Sequence, residues 1–206
     1  MYLPQQFNHP EHARSIILEN PFASLVSNDD EGFPFISHIP IKLMPHATDA
    51  QQDMLLGHVA KGNPHAGFLY KRPQVLLTFM GPQAYMSPAV YPDLIRVPTW
   101  SYVAVHVKAE VRILEGEEAK DALLKQLIAD HEPAYAQQWR GLPETYTHPM
   151  MNAIVAFEMK MLKVQTKVKL NQHRPEAHAA MHAAYDAGNE SEKALALWMR
   201  RLGLAS

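Results

Sequence analysis

Four short blocks hold most of the residues able to do chemistry: "ISHIP" (36–40), "GHVAKGNPH" (57–65), "GPQAYMSP" (81–88) and "VPTWSY" (97–102). Between them they offer hydroxyls, an ammonium, an amide and aromatic rings. Such groups hold a flat ring that carries an anionic tail. Rings and prolines sandwich the ring, while Ser, Thr, Lys and backbone N–H groups satisfy the anion. Each charge-assisted hydrogen bond to such a tail contributes about 1.5–3 kcal/mol. The same residue types also build turns and strand ends, and composition alone leaves both readings open.

Other chemistry is narrower. The absence of cysteine excludes disulfides, thiolate metal sites and cysteine nucleophiles. No Gly-x-Gly-x-x-Gly, Walker or Gly-x-Ser-x-Gly pattern occurs, which removes support for dinucleotide-fold, P-loop and serine-hydrolase chemistry. Twelve histidines raise the question of metal. His178 and His182 stand four apart on a predicted helix, but no glutamate lies between them and no third ligand is near in sequence, so no metal site is expected. His38, His58 and His106 fall on predicted strands and titrate near neutrality, yet none is singled out as a catalytic acid or base.

The elements that position these blocks follow from periodicity. The stretch "SYVAVHVKAEVRIL" alternates, with Val103, Val105, Val107, Ala109, Val111 and Ile113 on one face and polar residues opposite, the signature of a long half-buried strand. Strands are also predicted over "PFASLVSN", over "PFISHIPIKLM" (apolar on both faces, hence central), over "MLLGHVA", over "PQVLLTFMG" and "AYMSPAVY" as separate strands, and over "MNAIVAFEMKMLKVQTKVKL". Helices are predicted over "HPEHARSIILEN", from Pro64 to about Tyr70, as one mid-chain helix over "EGEEAKDALLKQLIADHE", and twice after Pro175, the second capped by Ser191. Strands without regular βαβ alternation make this an α+β protein built on an antiparallel barrel or sandwich rather than a parallel sheet. Residues 1–174 form the barrel domain, and 175–206 form a helical extension packed on it or on a partner.

Taken in order, the blocks resemble the PaiB-type FMN-binding negative transcriptional regulators. The opening "MYLPQQF", the run "NPFASLVS" into "SHIP", and above all "GPQAYMSPAVY" followed by "VPTWSYVAVHV" carry the resemblance. "KLNQHRPE" is similar to the family's K-L-S-Q-N-[RK] block, with Asn171 and His173 departing from it. The resemblance runs from Met1 to about Met199. It implies an FMN-binding split barrel, related to flavin reductases and pyridoxamine-phosphate oxidase-like proteins, with FMN as cofactor at the interface of a homodimer. Carried over by position, it names Ser37, His38, His58, Lys61, Asn63, Thr99, Trp100, Lys169 and Gln172 as flavin-pocket residues.

Regulation of transcription has no independent support in the residues. There is no helix-turn-helix signal, and the net charge of −2 gives no general pull toward nucleic acid. The densest basic run is Lys160, Lys163, Lys167 and Lys169, which reads as a solvated strand face sooner than a DNA contact. A flavin-dependent oxidoreductase fed by a nicotinamide and a haem-handling split barrel stand as alternatives. The N-terminal segment lacks the features of a signal peptide, and no window approaches the roughly 20 apolar residues of a membrane span, so a cytoplasmic protein is expected.

Overall fold

Alternation carries two strands of 16 residues each in the computed structural model, which describes every residue except Leu94, Ser206 and the side chain of Gln51. Numbered in chain order, the strands are β1 (Phe22–Asn28), β2 (Pro34–Pro40), β3 (Lys42–Met44), β4 (Met54–Ala60), β5 (Gln74–Met86), β6 (Thr99–Leu114) and β7 (Ile154–Lys169). The helices are α1 (Ala13–Glu19), α2 (Pro64–Lys71), α3 (Glu117–His131), α4 (Tyr135–Gly141), α5 (Glu144–Asn152), α6 (His178–Asp186) and α7 (Glu190–Arg201).

All seven strands join one sheet in the order β2-β1-β5-β6-β7-β4-β3. β1 pairs antiparallel with β2 and β5, and β4 pairs antiparallel with β3 and β7. The two edge strands, β2 and β3, are separated in the chain by Ile41 alone, whose N–H donates to the Pro21 carbonyl at 2.8 Å. Edges so tethered require the sheet to curl into an open barrel rather than lie flat.

The chain divides into two compact units. One comprises 20–79 and 106–164, the other 1–19, 80–105 and 165–206. The first is filled by Leu25, Leu55, Leu77, Phe79, Phe157 and Met159, all fully buried. Gly57 belongs to this packing. A Cβ there would come within 2.8 Å of the Ile41 side chain and 3.1 Å of Phe157, so the strand accepts no larger residue without displacement. The second unit is filled by Ile16, Ile17, Met86, Val103, Val105, Leu170, Met181, Leu195 and Met199.

Several expectations are corrected. β2 is an edge strand, not a central one, because only Ser37 and Ile39 turn inward while Ile36 and His38 face solvent. The two strands expected at 73–91 are one, β5, which runs through Gly81-Pro82 and ends before Pro88. Its backbone at Gln83 is held by the Ser191 hydroxyl, which accepts from the Gln83 N–H and donates to its carbonyl. Ser191 is therefore not the cap of α7. Asn189 is, in a reciprocal capping box with Glu192. Three helices, not one, lie between β6 and β7. Lys167 is buried and Lys169 half-buried, so these two do not form a solvated face.

Candidate functional site

The end of β7 and the start of β6 build a cleft of about 210 Å³ in the second unit. Lys169, the last residue of β7, donates to the Thr99 hydroxyl at 2.5 Å. No carboxylate pairs with this ammonium among the described residues. Burial, and secondarily the positive charge of Lys167, lowers the Lys169 pKa below the usual lysine value. Lys167 itself donates to the Tyr2 carbonyl at 3.1 Å and lies against the rings of Tyr2, Phe7 and Tyr102.

Sequence reasoning missed Arg96, which lines the same cleft. Its guanidinium pairs with Asp93 at 2.8 Å and Glu176 at 3.4 Å and lies over the Tyr91 ring, while its Nε is buried without an acceptor. The signal was its place two residues before the Pro98-Thr99-Trp100 segment. Asn171, which departs from the family block, has φ of +62°. Asn tolerates that left-handed backbone through its short polar side chain, and its Nδ2 donates to the Tyr91 hydroxyl at 3.0 Å. The turn it makes brings His173 and Arg174 to the cleft beside Lys169. Gln172 is spent on the backbone, accepting from Leu170 N–H and donating to the Val168 carbonyl. Trp100 is half exposed, with the Tyr85 ring edge-on at 6.2 Å.

The first unit holds the remaining candidates in a different arrangement. His65, fully buried beneath the start of α2, lies 3.0 Å from the Ser27 hydroxyl through Nε2 and 2.9 Å from the Ser37 hydroxyl through Nδ1. Asn63 donates to the same Ser37 oxygen at 3.0 Å and caps α2 by accepting from the His65 N–H. Phe35 meets the imidazole edge-on at 5.2 Å. Burial lowers the His65 pKa, so the ring is held neutral and completes a closed chain of hydroxyl, imidazole and amide. His38 is exposed and bonds Ser24 across the β1–β2 pair at 3.0 Å. Lys61 is exposed where α2 is about to begin. His58 lines an apolar pocket against α3, and burial lowers its pKa.

His9, Glu11 and His12 bring three ligand-type atoms within 4.8 Å of one another. The Gln172 amide, oriented by its two backbone bonds, presents an N–H to His9 Nε2 at 3.3 Å. That leaves the His9 proton on Nδ1, directed at Glu11 3.0 Å away. A metal at Nδ1 needs the opposite tautomer, so the cluster is a hydrogen-bonded turn.

The donors around Lys169 fit a flavin phosphate: an ammonium lacking a counter-ion, hydroxyls at Thr99 and buried Ser101, and the unpaired Arg96 Nε. Comparison with known proteins speaks to the cofactor and the fold. The model of the family described as "Putative FMN-binding domain" matches residues 1–163. The protease synthase and sporulation protein PAI 2 of Bacillus subtilis (strain 168) is 30% identical over 185 residues, which cover 85% of this chain and 84% of that protein. Among solved structures, the flavocytochrome Anf3 from Azotobacter vinelandii superposes with a TM-score of 0.60 at 14% identity, covering 80% of this chain and 69% of that one. The FAD and heme binding protein from Mycobacterium smegmatis gives 0.58 at 14% identity, covering 79% and 72%. At such identity the two structures speak for the split-barrel fold. With its family model spanning most of the chain and PAI 2 matched over most of both chains, the protein belongs to the PaiB-type FMN-binding family, and FMN is its cofactor.

Proposed function

We propose that the protein is a homodimeric, cytoplasmic flavoprotein with a regulatory role, and that it anchors the FMN phosphate on Lys169, Thr99 and Arg96. The observation that carries this reading is the Lys169 ammonium, half-buried and, among the described residues, bonded to a neutral hydroxyl with no carboxylate beside it. A desolvated cation without a counter-ion gains most from a dianionic phosphate. Trp100 presents an exposed ring for stacking on the flavin. Gln172, Asn63 and Ser37 act by holding loops in place, since their side chains are already spent. Lys61 offers the same charge without a built cleft and is the alternative anchor. When bound, FMN supplies the redox chemistry, and the chain binds and orients it.

Dimerisation is supported by size. A cleft of about 210 Å³ falls below the range of roughly 300–1,000 Å³ that encloses whole cofactors, so part of the flavin needs cover from elsewhere. The regulatory role rests on the similarity to PAI 2, named for protease synthesis and sporulation. Direct DNA contact through the basic run loses support, because Lys167 and Lys169 turn inward. No helix of the described residues is long and apolar enough to cross a membrane.

The test compares FMN with riboflavin, which lacks the phosphate. Wild type should prefer FMN strongly, and Lys169→Ala should abolish most of that preference. An unchanged preference removes the anchor from Lys169. Light scattering with and without FMN tests the dimer, and a mass near 23.3 kDa in both conditions would exclude it.

A further inference from the structure

Lys167 stands two residues before Lys169 on β7, on the same face and roughly 6.6 Å along the strand. Its side chain is buried, yet no carboxylate pairs with it among the described residues. The ammonium donates to the Tyr2 carbonyl at 3.1 Å, and three rings surround it, with centroids at 5.2 Å for Tyr102, 5.6 Å for Tyr2 and 5.9 Å for Phe7. Ring faces attract a cation but carry no net charge, so the cage holds the ammonium without cancelling its field. Phe7 belongs to both structures, because it also lines the cleft of Lys169. Lys167 does not line that cleft.

The other basic groups of the cleft are compensated. Arg96 pairs with Asp93 and Glu176, Arg174 lies 3.9 Å from the same Glu176, and burial lowers the His173 pKa. Two positive charges remain, on Lys169 and Lys167. Buried charges are costly without an opposite charge nearby, and two like charges on one strand face add their repulsion. A phosphate monoester carries nearly two negative charges near neutral pH, which matches what the strand leaves open. Lys169 can meet it by contact. Lys167 can reach it only through its field, which a site with little water leaves strong.

We infer that Lys167 is a specificity-determining residue of the flavin site: caged beside Phe7, it selects a doubly charged phosphate ester over singly charged and uncharged forms without touching the ligand. The inference rests on the phosphate reading of the Lys169 cleft. A through-space effect has a signature of its own. Its free energy scales with the charge of the ligand, whereas a distorted cleft weakens every flavin alike.

The test titrates FMN, the sulfate ester of riboflavin, and riboflavin against the full-length protein by flavin fluorescence. The charges are two, one and none at about pH 8, above the phosphate's second pKa of about 6. Lys167→Met keeps the stem inside the rings and removes the charge. It should leave riboflavin unchanged, weaken the sulfate ester about threefold and weaken FMN about tenfold, so that the logarithm of the loss follows the charge. If that variant fails to fold, Lys167→Gln, which keeps a donor for the Tyr2 carbonyl, is read in the same way. An equal loss for all three ligands would make Lys167 a packing residue and overturn the inference, and so would an unchanged FMN affinity. Lys169→Ala, run alongside, separates the two readings. A loss of FMN preference there beside a flat Lys167 series removes the role of Lys167 alone. A wild type that binds all three flavins equally removes the phosphate anchor and this inference with it.

Discussion

The Lys169 cleft and the His65 cluster are made from the same kinds of residue, yet they end in opposite electrostatic states. Around His65, two serines and an asparagine close on a neutral ring, and each polar group finds its partner inside the protein. Around Lys169, a cation meets one threonine, and the nearby Arg96 keeps a buried donor unpaired. The first arrangement is complete as it stands. In the reading proposed above, an anion completes the second. Charge and satisfaction, rather than residue type, separate a structural network from a binding site.

Breaking the closed network should have the largest effect. His65→Ala removes a fully buried ring and strands the hydroxyls of Ser27 and Ser37. The cavity and the orphaned groups together should cost about 3–5 kcal/mol of stability. Urea unfolding checks the loss, and FMN affinity of the folded fraction should stay within about twofold, a modest change on the affinity scale. A stable variant that no longer binds FMN would put His65 in the flavin site and dissolve the contrast.

Breaking the open site should leave stability nearly intact and reduce affinity. Lys169→Ala should weaken FMN by roughly tenfold to a hundredfold, as expected for losing a charge-assisted bond of about 1.5–3 kcal/mol, with riboflavin unchanged. Thr99→Ala should cost about tenfold or less, since the hydroxyl is a neutral partner. Lys61→Ala sharpens the comparison, because Lys61 is an exposed cation of the other unit, just before α2. Its effect should be smaller than that of Lys169→Ala, and the reverse order in the same fluorescence titration would move the phosphate to the start of α2.

Much of this was legible in the sequence, for physical reasons. Period-two alternation in β6 reports burial directly, and β6 and α3 lie where expected. Thr99 and Lys169 were named from separate blocks and are hydrogen-bonded in the fold. What stayed hidden depends on partners distant in the chain. Ser37 and Asn63 looked free until His65 met them, and the Ser191 hydroxyl is taken by Gln83, 108 residues away. α4 and α5 are short and mostly exposed, Pro143 lies between them and Pro149 sits inside α5, so no stripe announces them. β2 carries apolar residues on both faces, but one face of an edge strand remains in solvent, and no alternation rule reports which strand is last.

The smallest expected effect divides the two regions by pH. Burial sets the folded-state pKa of His65 below the 6.5 of a free imidazole. As pH falls below 6.5, the unfolded chain takes a proton that the folded chain refuses, so stability is lost with acidification, with a slope of at most about 1.4 kcal/mol per pH unit for one group. His58 adds to this limb with the same sign, so His65→Ala should reduce the slope without removing it. Lys169 acts at the other end. Its folded pKa lies below 10.5, so with rising pH the folded state releases a proton that the unfolded chain keeps, and stability climbs through that window. Bound phosphate favours the charged lysine and raises its pKa again, which removes the climb and makes FMN affinity fall as pH rises through the same range. Thermal melts across pH, with and without FMN, should therefore show an alkaline limb that FMN suppresses and an acid limb that it reduces only by the share of His173, which lines the same cleft and whose pKa burial also lowers. Suppression of the acid limb instead would place the cofactor against the histidine network and reverse the assignment of the two regions.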